Sequence, residues 1–171
     1  MPTNLSPRTV DCLYRKLSKS IRHPRAELIY NSHFELLIAV ILSAQATDKI
    51  VNEVTPSLFR KNPDPQSFIK IGEKELTQLI KRIGLAPTKA KNILGTCKIL
   101  IEKHNGNIPN SREDLELLPG VGRKTANVVL NEAFGEPTIA VDTHVFRVAN
   151  RTGLARGKSV LEVEKKLLKI T

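Results

Sequence analysis

Leu118-Pro-Gly-Val-Gly-Arg-Lys-Thr-Ala126 decides how this chain is read. Gly120 and Gly122 permit a tight turn that approaches another surface closely, because neither carries a Cβ. A short helix over residues 112–117 precedes the turn, and a second helix follows it to Phe134. The pattern is helix, hairpin, helix. The start of the second helix offers backbone N–H groups and partial positive charge, which hold an anion without any side chain. Arg123, Lys124 and Thr125 add donors at the same place, and the turn residues Leu118, Pro119, Gly120, Val121 and Gly122 are expected to contact the bound phosphate backbone with them. A phosphate diester suits such a site, and backbone donors read no bases. A bare GxG would fit any glycine turn between helices; the full nine-residue run asks for more.

The rest of the composition agrees with an anionic partner. The 171 residues carry 27 Lys and Arg against 17 Asp and Glu, a formal charge of +10. Clustered cations gain by displacing the counterions condensed on phosphate. Cys12 and Cys97 are the only cysteines, too few for a disulfide scaffold and spaced unlike a CxxC metal site. No apolar run reaches the roughly 20 residues that cross a bilayer. The N-terminal residues show no signal-peptide core. A bacterial cytoplasm, shared with the nucleoid, is the expected location, and no membrane partner is expected.

Outward from the hairpin, nearly every periodic segment is helical. Ser6-Pro7 opens a helix toward Ile21. Residues 33–46 are apolar on almost all sides, as at the centre of a bundle. Asp48 is expected to cap the next helix, through Phe59. Leu76, Leu79, Ile80 and Ile83 keep the spacing of a one-sided helix stopped by Gly84. Pro87 starts another, to about Lys103. Asp142 is expected to cap a helix through Arg151, and residues 160–170 form an amphipathic helix that ends at Thr171 without a stop signal. Alternating β-branched stretches are missing, so the fold class is all-α.

LPGVGRKTANVVL (118–130), followed by VDTHVFRVANR (141–151), resembles the endonuclease III family of helix–hairpin–helix DNA glycosylases. LLIAVILSAQATD (36–48) and RIGLAPTKAKNI (82–93) are similar to that family too, so the likeness spans about residues 22–170. It implies the helix–hairpin–helix glycosylase fold: a six-helix lobe over residues 24–135, and a second helical lobe from residues 1–23 and 136–171. It implies base excision repair, with removal of oxidised pyrimidines from damaged double-stranded DNA and a nick 3′ to the abasic site by β-elimination. The chain would act as a monomer.

By the same resemblance Lys124 is the nucleophile, whose amine attacks C1′ and forms a Schiff base. Asp142 is the catalytic carboxylate, suited to positive charge developing on the sugar. Its position before Thr143-His144-Val145 also suits a helix cap, and both roles can coexist. His144 is taken as a structural or phosphate-contacting neighbour. Gln45 matches the residue that fills the gap left by an extruded base. Leu85 resembles the wedge inserted on the opposite strand. A glutamine at a helix end and a core leucine are the plain alternatives.

The family also carries a [4Fe–4S] cluster held by four cysteines near its C-terminus. Cys12 and Cys97 match no such ligand, so this chain by itself is expected to hold no cluster and no other metal, and its second lobe is expected to lack the cluster segment. Two other readings compete. A monofunctional, adenine-removing glycosylase of the same superfamily lacks the lysine and places a glutamate where Ala39 stands. A non-enzymatic helix–hairpin–helix module would need neither Asp142 nor Gln45.

Overall fold

The computed structural model describes residues 5–22 and 26–170. Among the described residues there are nine helices and no strand: α1 (Pro7–Ser20), α2 (His33–Ser43), α3 (Asp48–Lys61), α4 (Pro65–Leu79), α5 (Ala86–His104), α6 (Arg112–Glu116), α7 (Arg123–Phe134), α8 (Thr143–Thr152) and α9 (Val160–Leu167). The chain forms two compact units, Ala26–Glu136 and the pair Met1–Arg25 with Pro137–Thr171. The boundary expected at residue 24 lies outside the described residues.

The larger unit is built around α2. All nine residues from Phe34 to Leu42 are buried, and α3, α5 and α7 pack on it. Fully burying a Leu, Ile or Phe side chain contributes about 1.5–3 kcal/mol. Six such residues, with Val40 and Ala39, therefore make α2 the core of the unit. Glu35 is buried there and forms no salt bridge among the described residues; its carboxylate accepts hydrogen bonds from the Asn31 backbone N–H (2.7 Å) and the Asn31 amide (3.1 Å). The smaller unit holds α1, α8 and α9, with a core of Val141, Ala149, Ala155, Val163 and Leu167. The Leu5 N–H donates to the Gly153 carbonyl at 3.1 Å, tying the start of α1 to the turn after α8.

Several boundaries differ from the periodic pattern, for local reasons. The apolar helix stops at Ser43 rather than at residue 46: Ala44 turns to ψ 116°, and the Ser43 hydroxyl closes on the Val40 carbonyl. Thr47, not Asp48, caps α3, its hydroxyl accepting from the Ile50 N–H; Asp48 sits in the first turn, where its charge still favours the helix dipole. Residue 72 breaks α4 with φ 72°, and the helix ends at Leu79. Ile80 and Ile83 are buried in the turn that follows, joined by an Ile83 N–H to Ile80 carbonyl bond of 2.8 Å, well before Gly84. The last helix ends at Leu167, and of its expected apolar face Val160 and Leu168 are exposed.

Candidate functional site

The hairpin joins α6 to α7. Leu118 and Val121 are buried beneath it, and the Val121 N–H donates to the Leu118 carbonyl at 3.0 Å. Gly120 has φ +80°, a left-handed turn that L residues enter only at a cost. Helix α5 cradles the turn from below. A Cβ on Gly95 would stand 3.0 Å from the Pro119 ring, and the Thr96 hydroxyl donates to the Pro119 carbonyl at 3.0 Å. A Cβ on Gly120 would meet the Asn92 side chain at 3.0 Å. Arg112 Nε donates to Asn127 Oδ1 at 2.9 Å, fastening α6 to α7, and Arg123 lies 3.9 Å from Glu116 across the hairpin.

Gly122 caps α7 without a side-chain hydrogen bond, so no carboxylate or hydroxyl of the cap occupies the helix start. A Cβ there would meet nothing within 4 Å, and the backbone is extended. Lys124, second residue of α7, is exposed, and Arg123 and Thr125 beside it are half-buried. The helix start, its dipole and Lys124 thus converge on one open point of the surface.

Gln45 and Leu85 occupy two neighbouring corners of the same unit. Both are left-handed without being glycine, at φ 55° and φ 63°. Each such residue stores on the order of 1–3 kcal/mol of strain, and such strain gathers at functional sites. Leu85 is 58% exposed, so it is not the core leucine of the plain alternative. Gln45 is also exposed and lies past the end of α2 rather than on it. The corners lie close together: a Cβ on Gly84, next to Leu85, would stand 4.0 Å from the Gln45 carbonyl oxygen.

Asp142 and His144 belong to the smaller unit. Asp142 caps α8, and Oδ1 accepts both bonds, from the His144 N–H (2.9 Å) and the Val145 N–H (2.8 Å). Its other oxygen, Oδ2, takes no bond among the described residues. One oxygen holds the carboxylate rigid while the other stays available. His144 is exposed, its Nδ1 3.4 Å from Arg147.

Residues 38–171 match the family described as HhH-GPD superfamily base excision DNA repair protein. Over 155 residues the chain is 62% identical to endonuclease III of Haemophilus influenzae and 57% identical to endonuclease III of Escherichia coli, covering 91% of this chain and 74% of each relative. The chain belongs to the HhH-GPD superfamily of base excision DNA repair proteins. A solved structure described as a trapped endonuclease III–DNA covalent intermediate superposes with a TM-score of 0.93 at 50% identity, covering 98% of this chain and 79% of that one. This HhH-GPD protein is accordingly a base excision repair enzyme, a DNA glycosylase with AP lyase activity on the all-helical glycosylase fold.

A [4Fe–4S] cluster, which the resemblance implies for the family, needs four thiolates. Cys12 is exposed on α1 and Cys97 is buried in α5, where burial pushes its thiol up to about 12. Among the described residues no three His, Cys, Asp or Glu side chains converge as a metal site. The residues present do not fit the cluster.

The α5 cradle was not legible from the hairpin motif. A glycine inside a helix costs about 1 kcal/mol, so Gly95 signalled a packing reason, but nothing named Pro119 as its partner. Lys89, buried on α5, looked in the sequence like any solvent-facing helix lysine.

Proposed function

We propose that this HhH-GPD enzyme removes oxidised pyrimidines from damaged double-stranded DNA, and that Lys124 forms the Schiff base. The carrying observation is the exposed Lys124 at the open, uncapped-by-side-chain start of α7, directly after the hairpin. Hairpin and helix N–H groups, with Arg123 and Thr125, grip a phosphate and fix the sugar opposite the amine. The Lys124 Nζ lone pair attacks C1′; the base leaves with the glycosidic electron pair and is protonated. The attached nitrogen then loses a proton and its lone pair expels O4′, which takes up a proton, so the sugar ring opens and C1′ becomes an iminium carbon that acidifies C2′–H. Loss of that proton forms the C1′–C2′ enamine, whose electrons expel the 3′ phosphate and nick the strand.

Asp142, as the resemblance implies, is the catalytic carboxylate: one oxygen caps α8 and the other is available to stabilise positive charge developing on the sugar. Gln45 fills the gap of the flipped nucleotide and Leu85 wedges the opposite strand. His144 contacts a phosphate. The enzyme works as a monomer, on DNA in a bacterial cytoplasm. No helix among the described residues is long and apolar enough to cross a membrane. The test is borohydride trapping on a duplex with one abasic site. The wild-type chain should cross-link, and Lys124→Gln should abolish the adduct while leaving the helical spectrum intact. Undiminished trapping in Lys124→Gln would place the nucleophile elsewhere.

A further inference from the structure

Lys89 is 4% exposed, yet it has no carboxylate within salt-bridge distance among the described residues. Its Nζ donates to the Leu42 carbonyl at 2.8 Å, 47 residues away in the chain. Leu42 lies in the last turn of α2, whose carbonyls lack partners within the helix. The backbone N–H of Lys89 donates to the Leu85 carbonyl at 3.0 Å. One residue thus holds both corners, Leu85 by its main chain and the end of α2, three residues before Gln45, by its side chain.

The choice of residue is costly. Burying an ammonium is unfavourable unless it is well paired, and burial pushes the pKa of Lys89 down. A methionine would fill the same space with no charge to desolvate. What the ammonium adds is a directed bond to a carbonyl at the negative end of α2, and hence a fixed distance between two strained corners. Each corner alone is a left-handed residue that the surrounding structure must hold.

We propose that Lys89 is a positioning residue for this enzyme: its bond to the Leu42 carbonyl sets the spacing of Gln45 and Leu85 that base extrusion requires. This rests on the reading of Gln45 and Leu85 given above. Lys89 touches neither substrate nor reacting atoms in this scheme. It acts through the two side chains that replace the flipped base and split the opposite strand. Its contribution is therefore confined to substrates whose base must leave a stack.

The experiment compares the wild-type chain and Lys89→Met on two substrates: a damaged pyrimidine in duplex DNA, and an abasic site in single-stranded DNA trapped with borohydride. Lys89→Met should slow single-turnover excision from the duplex by roughly tenfold to a hundredfold, the scale of a misplacement of about 1 Å. It should leave trapping on the single strand unchanged, which also shows that the variant is folded. Lys89→Gln, which keeps an N–H donor on a shorter stem, should lie between. In a Gln45→Ala/Leu85→Ala background, Lys89→Met should add no further loss. Equal losses on both substrates, full duplex activity in Lys89→Met, or additive losses in that background would overturn the proposal. Undiminished duplex excision in the Gln45→Ala/Leu85→Ala protein itself would overturn the reading of those two residues, and the proposal with it.

Discussion

Gly120 and Gly122 are equal in the motif and unequal in the structure, so replacing each by alanine separates two functions of the hairpin. Gly120 has φ +80°, where an L residue costs about 1–2 kcal/mol. Its new Cβ would also stand 3.0–3.1 Å from Asn92, which must give by a few tenths of an ångström. At roughly 2–4 °C per kcal/mol for a chain of this size, Gly120→Ala should lower the melting temperature by about 2–8 °C, and more where Asn92 cannot move aside. Gly122 is extended and a Cβ there meets nothing within 4 Å, so Gly122→Ala should cost only the poorer N-capping of alanine, about 0.5–1 kcal/mol or roughly 1–4 °C. Gly122→Ala should nonetheless weaken binding to abasic-site duplex, because the new methyl stands where a phosphate would approach the helix start. Calorimetry and fluorescence-anisotropy titration on the same samples decide it. A Gly120→Ala protein as stable as wild type, or a Gly122→Ala protein that melts below Gly120→Ala, would refute the reasoning.

Three further outcomes are expected. Asp142→Asn should slow base excision by a large factor while keeping the melting temperature, since asparagine caps about as well; Asp142→Ala should lose both, at about 1 kcal/mol for the cap, as read by single-turnover kinetics and thermal melting. DNA affinity should fall linearly on a log–log plot against salt, with a slope near −0.9 for each phosphate contacted, and a flat plot in a salt titration would remove the phosphate-gripping account of the hairpin. A thiol reagent at pH 8 should modify exposed Cys12 quickly and leave Cys97 untouched until the chain is denatured, because burial pushes the Cys97 thiol up to about 12 and leaves no thiolate to react; two fast equivalents in the native protein would contradict this.

The sequence was most informative where one short-range rule acted alone. Ser6-Pro7, Pro87 and Asp142 start helices as their side chains dictate, and the apolar run at residues 34–42, interrupted by Glu35, is the buried core. It was least informative where tertiary packing decided a helix end. Ile80 and Ile83 keep helical spacing yet lie in a turn, because burial rewards their position and not their φ and ψ. The hairpin was legible through its glycines. Its α5 support was not, since Asn92, Gly95 and Thr96 meet the turn only after the chain has folded back by some 25 residues. Gln45 and Leu85 were named by resemblance; their left-handed backbones have no signature in residue type, glutamine and leucine being poor choices for φ > 0.

Helix α2 is at once the hub of the larger unit and the mast on which the Gln45 corner is carried. A close-packed interior transmits small volume changes instead of absorbing them. An engineer who repacks residues 36–42 to gain heat resistance therefore also moves the tip at Gln45, and random libraries aimed at that core should return clones with altered damage preference from positions that touch no nucleotide. Robustness and discrimination are wired to one rod here, and selection on either will leave its mark on the other.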